Sequence, residues 1–285
     1  MAYTTATDLT NGQIAMVGAA RYTYEHENVL PGLFDHRVLG AGEKSLYIPK
    51  FGRVEAKDLT DGVDMTETQQ LTISGTEHST DEAGCKVVIT KKLRNQLKED
   101  AYGATGKVIG NAMKKKIEID GLNLFSGLSN GVGAASTTFS TAYMQAAITQ
   151  LFGQDEPAPE PINAVLHPYT YHDIKTNLAI PGTSNMPPNI QGTALQGKWR
   201  GNEPLYGVPV FIAGNIDDST ATTTYSAVFS RMTFIYLVGW EPETWMEEDG
   251  SLRGWEIGIV ADYACVEEDD NYGCYLLFDA TAPTT

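Results

Sequence analysis

Several short stretches combine residue types at spacings that chemistry uses. Gly127-Leu128-Ser129-Asn130-Gly131 matches the G-x-S-x-G pattern of a nucleophile elbow. That motif stands its serine on a strained turn between a strand and a helix. Here a helical stretch precedes the pattern and a small-residue loop follows, so a helix end running into a loop is expected. Gly40-Ala41-Gly42-Glu43-Lys44-Ser45 has the look of a phosphate loop, yet Glu43 separates glycine from lysine and no apolar strand feeds it. His167 and His172 stand five apart, not the four that would align two imidazoles on a helix, and His26, His36 and His78 are scattered. Capping or surface roles are expected for them. The run Glu267, Glu268, Asp269, Asp270 lacks the spaced oxygens and central glycine of a calcium loop, which leaves a solvated turn. Glu241, Glu243, Glu247 and Glu248 lie among Trp240 and Trp245. A glycosidase needs two carboxylates facing each other across a cleft, which neighbours on one strand do not supply; an exposed, charged sheet edge is expected. No catalytic residue, metal ligand or cofactor site follows from these stretches. A hydrolase using Ser129 or the glutamates near Trp245 stands as a remote alternative.

The elements that would hold such residues carry more information. The chain has 285 residues, 42% hydrophobic and 20% charged, which is the composition of one large globular domain or two intimate ones. Its 36 Asp and Glu outnumber 20 Lys and Arg, for a formal charge of -16. That field repels nucleic-acid phosphate and disfavours sequence-specific DNA or RNA binding. The first dozen residues have neither the basic nor the apolar part of an export signal, and no apolar run approaches a membrane span. Cys85, Cys265 and Cys274 form neither a disulfide framework nor a zinc pattern. Folding in a reducing cytoplasm is expected, with Cys265 and Cys274 as buried thiols on a hairpin.

Residues 1–41 form an amphipathic lead-in, with Asp8 or Thr10 as possible caps and a break at Pro31-Gly32. Residues 48–73, IPKFGRVEAKDLTDGVDMTETQQLTI, enclose a charged middle between two strand-like ends. A connection this long without a core of its own marks disorder or function. A short strand, CKVVIT, leads into the strongest helical signal, residues 90–121. There Leu93, Leu97, Ala101, Ala104, Val108 and Ala112 draw one apolar stripe, Thr90 is a candidate N-cap, and Gly103, Gly106 and Gly110 invite close approach. SNGVGAASTT reads as a loop. Residues 140–152 read as a helix buried through Met144, Ala147, Ile148 and Leu151, and DEPAPEP as a stiff spacer. INAVLHP is a buried strand ending at a helix start. Residues 180–203 form a long loop, and strands follow at LYGVPVFIAG, YSAVFS and TFIYLVG. Trp255, Ile257, Ile259, Ala261, Tyr263 and Cys265 alternate along a long strand, and the acidic turn leads back through Cys274, Leu276 and Phe278 as a hairpin.

This order of features resembles the major capsid proteins of tailed bacteriophages, the Hong Kong 97-type fold. The resemblance rests on AVLHPYTYHDIKTNL, EPLYGVPVFIAGNI and EIGIVADYACVEEDDNYGCYLLF, in sequence over nearly the whole chain. It implies an α+β fold with an N-terminal arm (1–41) and an extended E-loop (42–82). A peripheral domain with a long spine helix (83–130) and C-terminal strands (238–285), and an axial domain (131–237), complete it. It implies self-assembly into pentamers and hexamers of an icosahedral shell around double-stranded DNA, assembled in the host bacterial cytoplasm. Such a shell has no membrane and no sequence-specific DNA contact. On the E-loop, Lys50, Arg53, Lys57, Asp58, Asp61, Asp64 and Glu67 would meet other copies. Asn185, Asn189, Lys198 and Arg200 would line the capsomer axis. A portal and a possible decoration protein are implied partners. With about forty residues before the arm, a separate scaffolding protein, or assembly without one, is expected, as is an N-terminus at Met1 or Ala2 in particles. Lys50 and Lys57 are available for an isopeptide cross-link, but no acceptor or catalytic glutamate stands out, so none is expected. An encapsulin-like nanocompartment shell is the alternative with the same fold.

Overall fold

A computed structural model describes residues 28–66, 68–96, 101–179, 204–217 and 223–283. Two sheets form the body. The first has the order β1-β10-β11-β4, with β1 Asp35–Val38, β4 Asp81–Thr90, β10 Phe234–Asp249 and β11 Gly254–Glu267. Only β1 runs parallel to its neighbour; the long β10–β11 pair is an antiparallel hairpin. The second has the order β5-β12-β9-β6-β8-β7, built from β5 Gly131–Gly133, β6 Ile162–Leu166, β7 Pro204–Leu205, β8 Val208–Ile212, β9 Thr224–Ser230 and β12 Gly273–Phe278. β2 Ser45–Phe51 and β3 Ile73–Ser79 form a separate two-stranded ribbon. This is the expected α+β class.

β6 shows why sequence and position agree. All five of its residues are buried, and it pairs with β8 on one side and β9 on the other. A strand covered on both faces has no polar side to alternate. At its end, His167 Nδ1 accepts the Tyr169 amide at 3.3 Å and Pro168 opens helix α4, Pro168–Ala179. His167 is therefore a cap, as expected. Helix α3, Thr141–Gly153, buries Met144, Ala147 and Leu151 against the six-stranded sheet.

The stretch 90–121 holds α1, Lys91–Gln96, and α2, Ala101–Asn123, and residues 97–100 lie outside the described set. Thr90 Oγ1 accepts the Leu93 amide at 3.3 Å, as a cap should. Leu93 on α1 is buried as expected, but the described part of the stripe on α2 is displaced. Val108 is 54% exposed and Ala112 is exposed; Ile109, Met113 and Ile117 are the residues that pack on β11 and β4. The two lines of residues share nearly the same spacing, and the one with larger side chains removes more apolar area from water.

The glycines of α2 divide the same way. Nothing lies within 4 Å of a Cβ placed on Gly106 or Gly110, while one on Gly121 would sit 2.8 Å from Leu30 Cδ1 and 3.1 Å from Phe34 Cε2. The close approach expected in the middle of the helix occurs at its end, where the turn Leu30–Gly32 packs. Gly106→Ala is therefore expected to stabilise the fold by up to about 1 kcal/mol through helix propensity. Gly121→Ala adds the same propensity but forces two buried side chains aside, at about 1–3 kcal/mol, and should be neutral to destabilising. Thermal unfolding of the two variants side by side checks the opposite signs.

Two expectations fail around β12. Residues 131–133 are a strand, pairing in parallel with β12, and not a loop. β11 and β12 are not a hairpin, because β11 pairs with β10 and β4 while β12 pairs with β9 and β5. The chain changes sheets at the acidic turn. Cys265 and Cys274 accordingly belong to different sheets, and both thiols are free. Burial pushes each up to about 12, so neither is a thiolate near neutral pH.

Candidate functional site

The ribbon β2–β3 is the part of the chain least explained by its own fold. Its register runs from Ser45↔Ser79 to Phe51↔Ile73, and period-two alternation gives it two unlike faces. Leu46, Ile48 and Lys50, with His78 opposite, are turned at least partly inward. On the other face Tyr47, Phe51 and Ile73 are each more than half exposed. Tyr47 lies across Gly75, where a Cβ would meet its ring at 2.6 Å, so the glycine keeps that ring flat on the ribbon. Residues 52–72 continue outward without a strand or helix among the described residues, and Val54, Leu59, Val63, Met65 and Leu71 are 49–68% exposed. The two limbs are tied by Gln69, whose amide accepts from Glu55 N at 2.8 Å and donates to Glu55 O at 2.6 Å.

The base of the ribbon is clasped to its own body. Lys50 Nζ donates to Asp269 Oδ2 at 2.5 Å, lies 3.1 Å from Glu156 Oε2, and sits 5.6 Å above the Tyr272 ring. The hydrogen bond to Asp269, reinforced by Glu156, holds the Lys50 ammonium above the usual lysine range against a smaller opposing effect of burial. Arg53 Nη1 donates to Asp155 O at 3.0 Å. His78, 7% exposed, meets Glu268 Oε2 at 3.1 Å. Thr80 Oγ1 donates to Asp262 Oδ2 at 2.8 Å where the ribbon returns to the sheet.

The acidic turn is thus the receptor of the ribbon and not a solvated loop. Glu268 takes His78, Asp269 takes Lys50, and Asp270 Oδ1 accepts the Ser129 amide at 2.7 Å. Burial, with the nearby Asp270 and Asp269, raises the Glu267 carboxyl above its ordinary value. Among the described residues no cluster of three metal-ligating side chains forms. Ser129 stands between a 3-10 turn and β5, with its amide spent on Asp270, so it is no nucleophile elbow. Glu241, Glu243, Glu247 and Glu248 lie on the exposed half of β10, beyond the end of β1, and Glu248 pairs with Lys91. With Pro242 and two register shifts beside them they guard a free edge, as expected.

Of the residues expected at contacts between copies, Lys50 and Arg53 are engaged within their own chain. Lys57, Asp58, Asp61 and Asp64 are exposed in the outer loop. Glu67, Asn185, Asn189, Lys198 and Arg200 lie outside the described residues. Sequence reasoning missed Asp269 and Glu156 as partners of Lys50, because they stand more than a hundred positions away and share no pattern with it.

No family model matches the chain, and no curated protein does. Solved structures do. A chain described as Mycobacterium phage Che8 superposes with a TM-score of 0.74 at 11% identity, covering 90% of this chain and 94% of its own. The capsid structure of the cyanophage P-SCSP1u gives 0.72 at 10% identity, with 93% and 92% covered. The mature capsid of bacteriophage PhiM1 gives 0.69 at 10%, with 93% and 91% covered. Identity this low carries no residue roles, but a match end to end at these scores fixes the architecture: the chain has the Hong Kong 97-type fold of tailed-phage capsid chains.

Proposed function

We propose that the chain is the major capsid protein of a tailed bacteriophage, a structural protein that assembles into pentamers and hexamers of an icosahedral shell enclosing double-stranded DNA. The observation that carries this is the ribbon. It is clasped at its base, yet presents an apolar face and a long charged tip that no described residue of its own chain covers. Apolar area held in water in this way finds its partner on another copy, and repeated contacts of one kind close into shells when the geometry curves. The likeness to capsid chains over nine-tenths of the length supports the same reading.

In this reading residues 42–82 are the E-loop, and α2 within 83–130 is the spine helix. The six-stranded sheet and α3 form the axial domain of 131–237, and the four-stranded sheet forms the peripheral domain. Because β12 pairs within the six-stranded sheet, we place 273–278 with the axial unit and only the earlier part of 238–285 with the peripheral one. Lys57, Asp58, Asp61, Asp64 and Glu67 meet a neighbouring copy, while Lys50 and Arg53 aim the loop that carries them. Asn185, Asn189, Lys198 and Arg200 line the capsomer axis. A scaffolding protein, a portal and a decoration protein are further partners.

Negative-stain microscopy of the expressed chain, alone and with its scaffolding partner, tests the reading. Uniform shells or five- and sixfold rings are expected; monodisperse monomers under all conditions overturn it. Lys57→Glu is expected to cut particle yield several-fold while moving the melting temperature by less than about 2 °C, since surface changes stay within about 0.5 kcal/mol. Unchanged yield would remove Lys57 from the contact.

A further inference from the structure

The charge of the chain is distributed unevenly. Residues 91–117 carry eight of its 20 Lys and Arg but only two of its 36 Asp and Glu. The described residues of this segment form α1 and most of α2, laid against the four-stranded sheet. Lys92, Lys107, Lys114, Lys115 and Lys116 are all exposed. Of the acids of α2, Glu118 is fully buried, accepting the Val29 amide and the Asn215 side chain, and Asp120 offsets Lys116 alone, accepting from its ammonium and from the Tyr263 hydroxyl. Lys92, Lys114 and Lys115 make no ion pair among the described residues. Lys107 and Lys114 stand two helical turns apart, about 10.5 Å along the axis, close to one line.

We propose that this face of α2, centred on Lys107, Lys114 and Lys115, is a sequence-independent contact for the phosphate backbone of double-stranded DNA. Its composition separates that occupant from a protein partner. Protein interfaces are built around an apolar or aromatic centre, and among the described residues this face offers Val108 alone beside lysine, alanine and open glycine. Interfaces with DNA are polar and strongly positive. Against the acidity of the rest of the chain, a lysine strip is where a polyanion can approach, and the same acidity keeps the contact weak. The inference rests on the capsid reading only for the source of the DNA; the contact itself is a property of the subunit.

The test is binding of a fluorescent 24-base-pair duplex of random sequence to the purified subunit, measured across salt concentration. Each neutralised phosphate contributes about -0.9 to the slope of log K against log salt. A parent slope of roughly -3 is therefore expected, with a dissociation constant in the range of about 10⁻⁴ to 10⁻⁶ M. The double variant Lys114→Glu, Lys115→Glu should weaken binding at least about tenfold and reduce the slope by about 2. Lys44→Glu with Arg231→Glu makes the same change of net charge on exposed residues elsewhere and should leave both nearly unchanged. Circular dichroism confirms folding of each. Equal losses in both double variants, no binding by the parent at 50 mM salt, or tighter binding of poly-glutamate than of the duplex overturns the inference. Shell formation, scored on the same preparations, is a separate outcome: DNA binding without shells removes the capsid reading and leaves this contact, and shells without DNA binding do the reverse.

Discussion

Lys50→Ala is expected to loosen the ribbon without unfolding the body. The Lys50 side chain is 42% exposed, so each of its two ion pairs contributes no more than about 1 kcal/mol, and its place over Tyr272 about 0.5–1 kcal/mol. Removing it also leaves Asp269, with its side chain only 12% exposed, short of a partner. A local loss of roughly 1–3 kcal/mol raises the open population of the ribbon base about 5- to 150-fold, while α2 and the two sheets keep their packing. Hydrogen exchange checks this directly: amides of β2 and β3 should exchange faster, and those of β6, β9 and β11 should not. Limited trypsin digestion should cut at Arg53 and Lys57 sooner. If capsomers assemble through this arm, particle yield should fall with it, because an arm that points in many directions loses more entropy on docking. The raised pKa of Lys50 sets the pH window. A cation whose folded pKa lies above its unfolded value near 10.4 contributes fully below that value and fades only as pH rises through the higher one. The clasp should therefore hold equally at pH 7 and pH 9, and exchange of β2 amides, corrected for intrinsic rate, should match at both. Ribbon amides that exchange as slowly in Lys50→Ala as in the parent would show that Arg53, His78 and the Gln69–Glu55 pair suffice.

What the sequence allowed to be read follows from the range of the forces involved. Elements set by local pattern were legible: β6 by its unbroken apolar run, α3 by Met144, Ala147 and Leu151, and the caps Thr90 and His167 by chemistry within three residues. The ribbon was legible as a stretch too polar to hold a core. The buried line of α2 was misread because Val108 and Ala112 satisfy helical spacing as well as Ile109, Met113 and Ile117 do; only the sheet beneath chooses between them. The hairpin assigned to β11 and β12 failed for a related reason. Alternation continues on both sides of the acidic turn, and nothing local says that the two strands enter different sheets. The true partner of β11 was hidden because the far half of β10 is acidic and exposed. At the candidate site the charges were visible but their use was not. Lys50 and Asp269 are 219 positions apart, and a carboxylate that receives a strand looks the same in sequence as one that faces water.

The joint between the two sheets governs how the ribbon is presented, and Phe229→Ala is expected to break it. Phe229 on β9 is fully buried and touches three other buried rings. Its centroid lies 5.7 Å from Phe34, 5.5 Å from Phe125 and 5.2 Å from Phe234, with the contacts to Phe34 and Phe234 edge-on, an arrangement that aromatic quadrupoles favour. The four rings come from the segment before β1, the turn after α2, the six-stranded sheet and the four-stranded sheet, so the cluster is where the two halves of the body are fixed to each other. Truncating a ring at such a site costs about 3–5 kcal/mol, since the lost transfer energy is joined by a cavity that rigid neighbours cannot fill. At 2–4 °C per kcal/mol for a chain of this size, the melting temperature should fall by roughly 6–20 °C. Phe229→Leu keeps most of the volume and should lie between the two. Phe152→Ala, at a position 49% exposed, should stay within about 0.5 kcal/mol of the parent. The structural consequence reaches further than stability. The clasp ties the ribbon to the turn after β11, while Glu156 and Asp155 belong to the segment leading into β6, so Lys50 and Arg53 bridge both sheets. If the chain assembles as proposed and the rings set the angle between the sheets, Phe229→Leu should form particles of less uniform diameter at temperatures where its subunits remain folded. Particles as uniform as the parent's would assign the angle to the clasp, and Lys50→Ala would then be the variant that broadens the distribution.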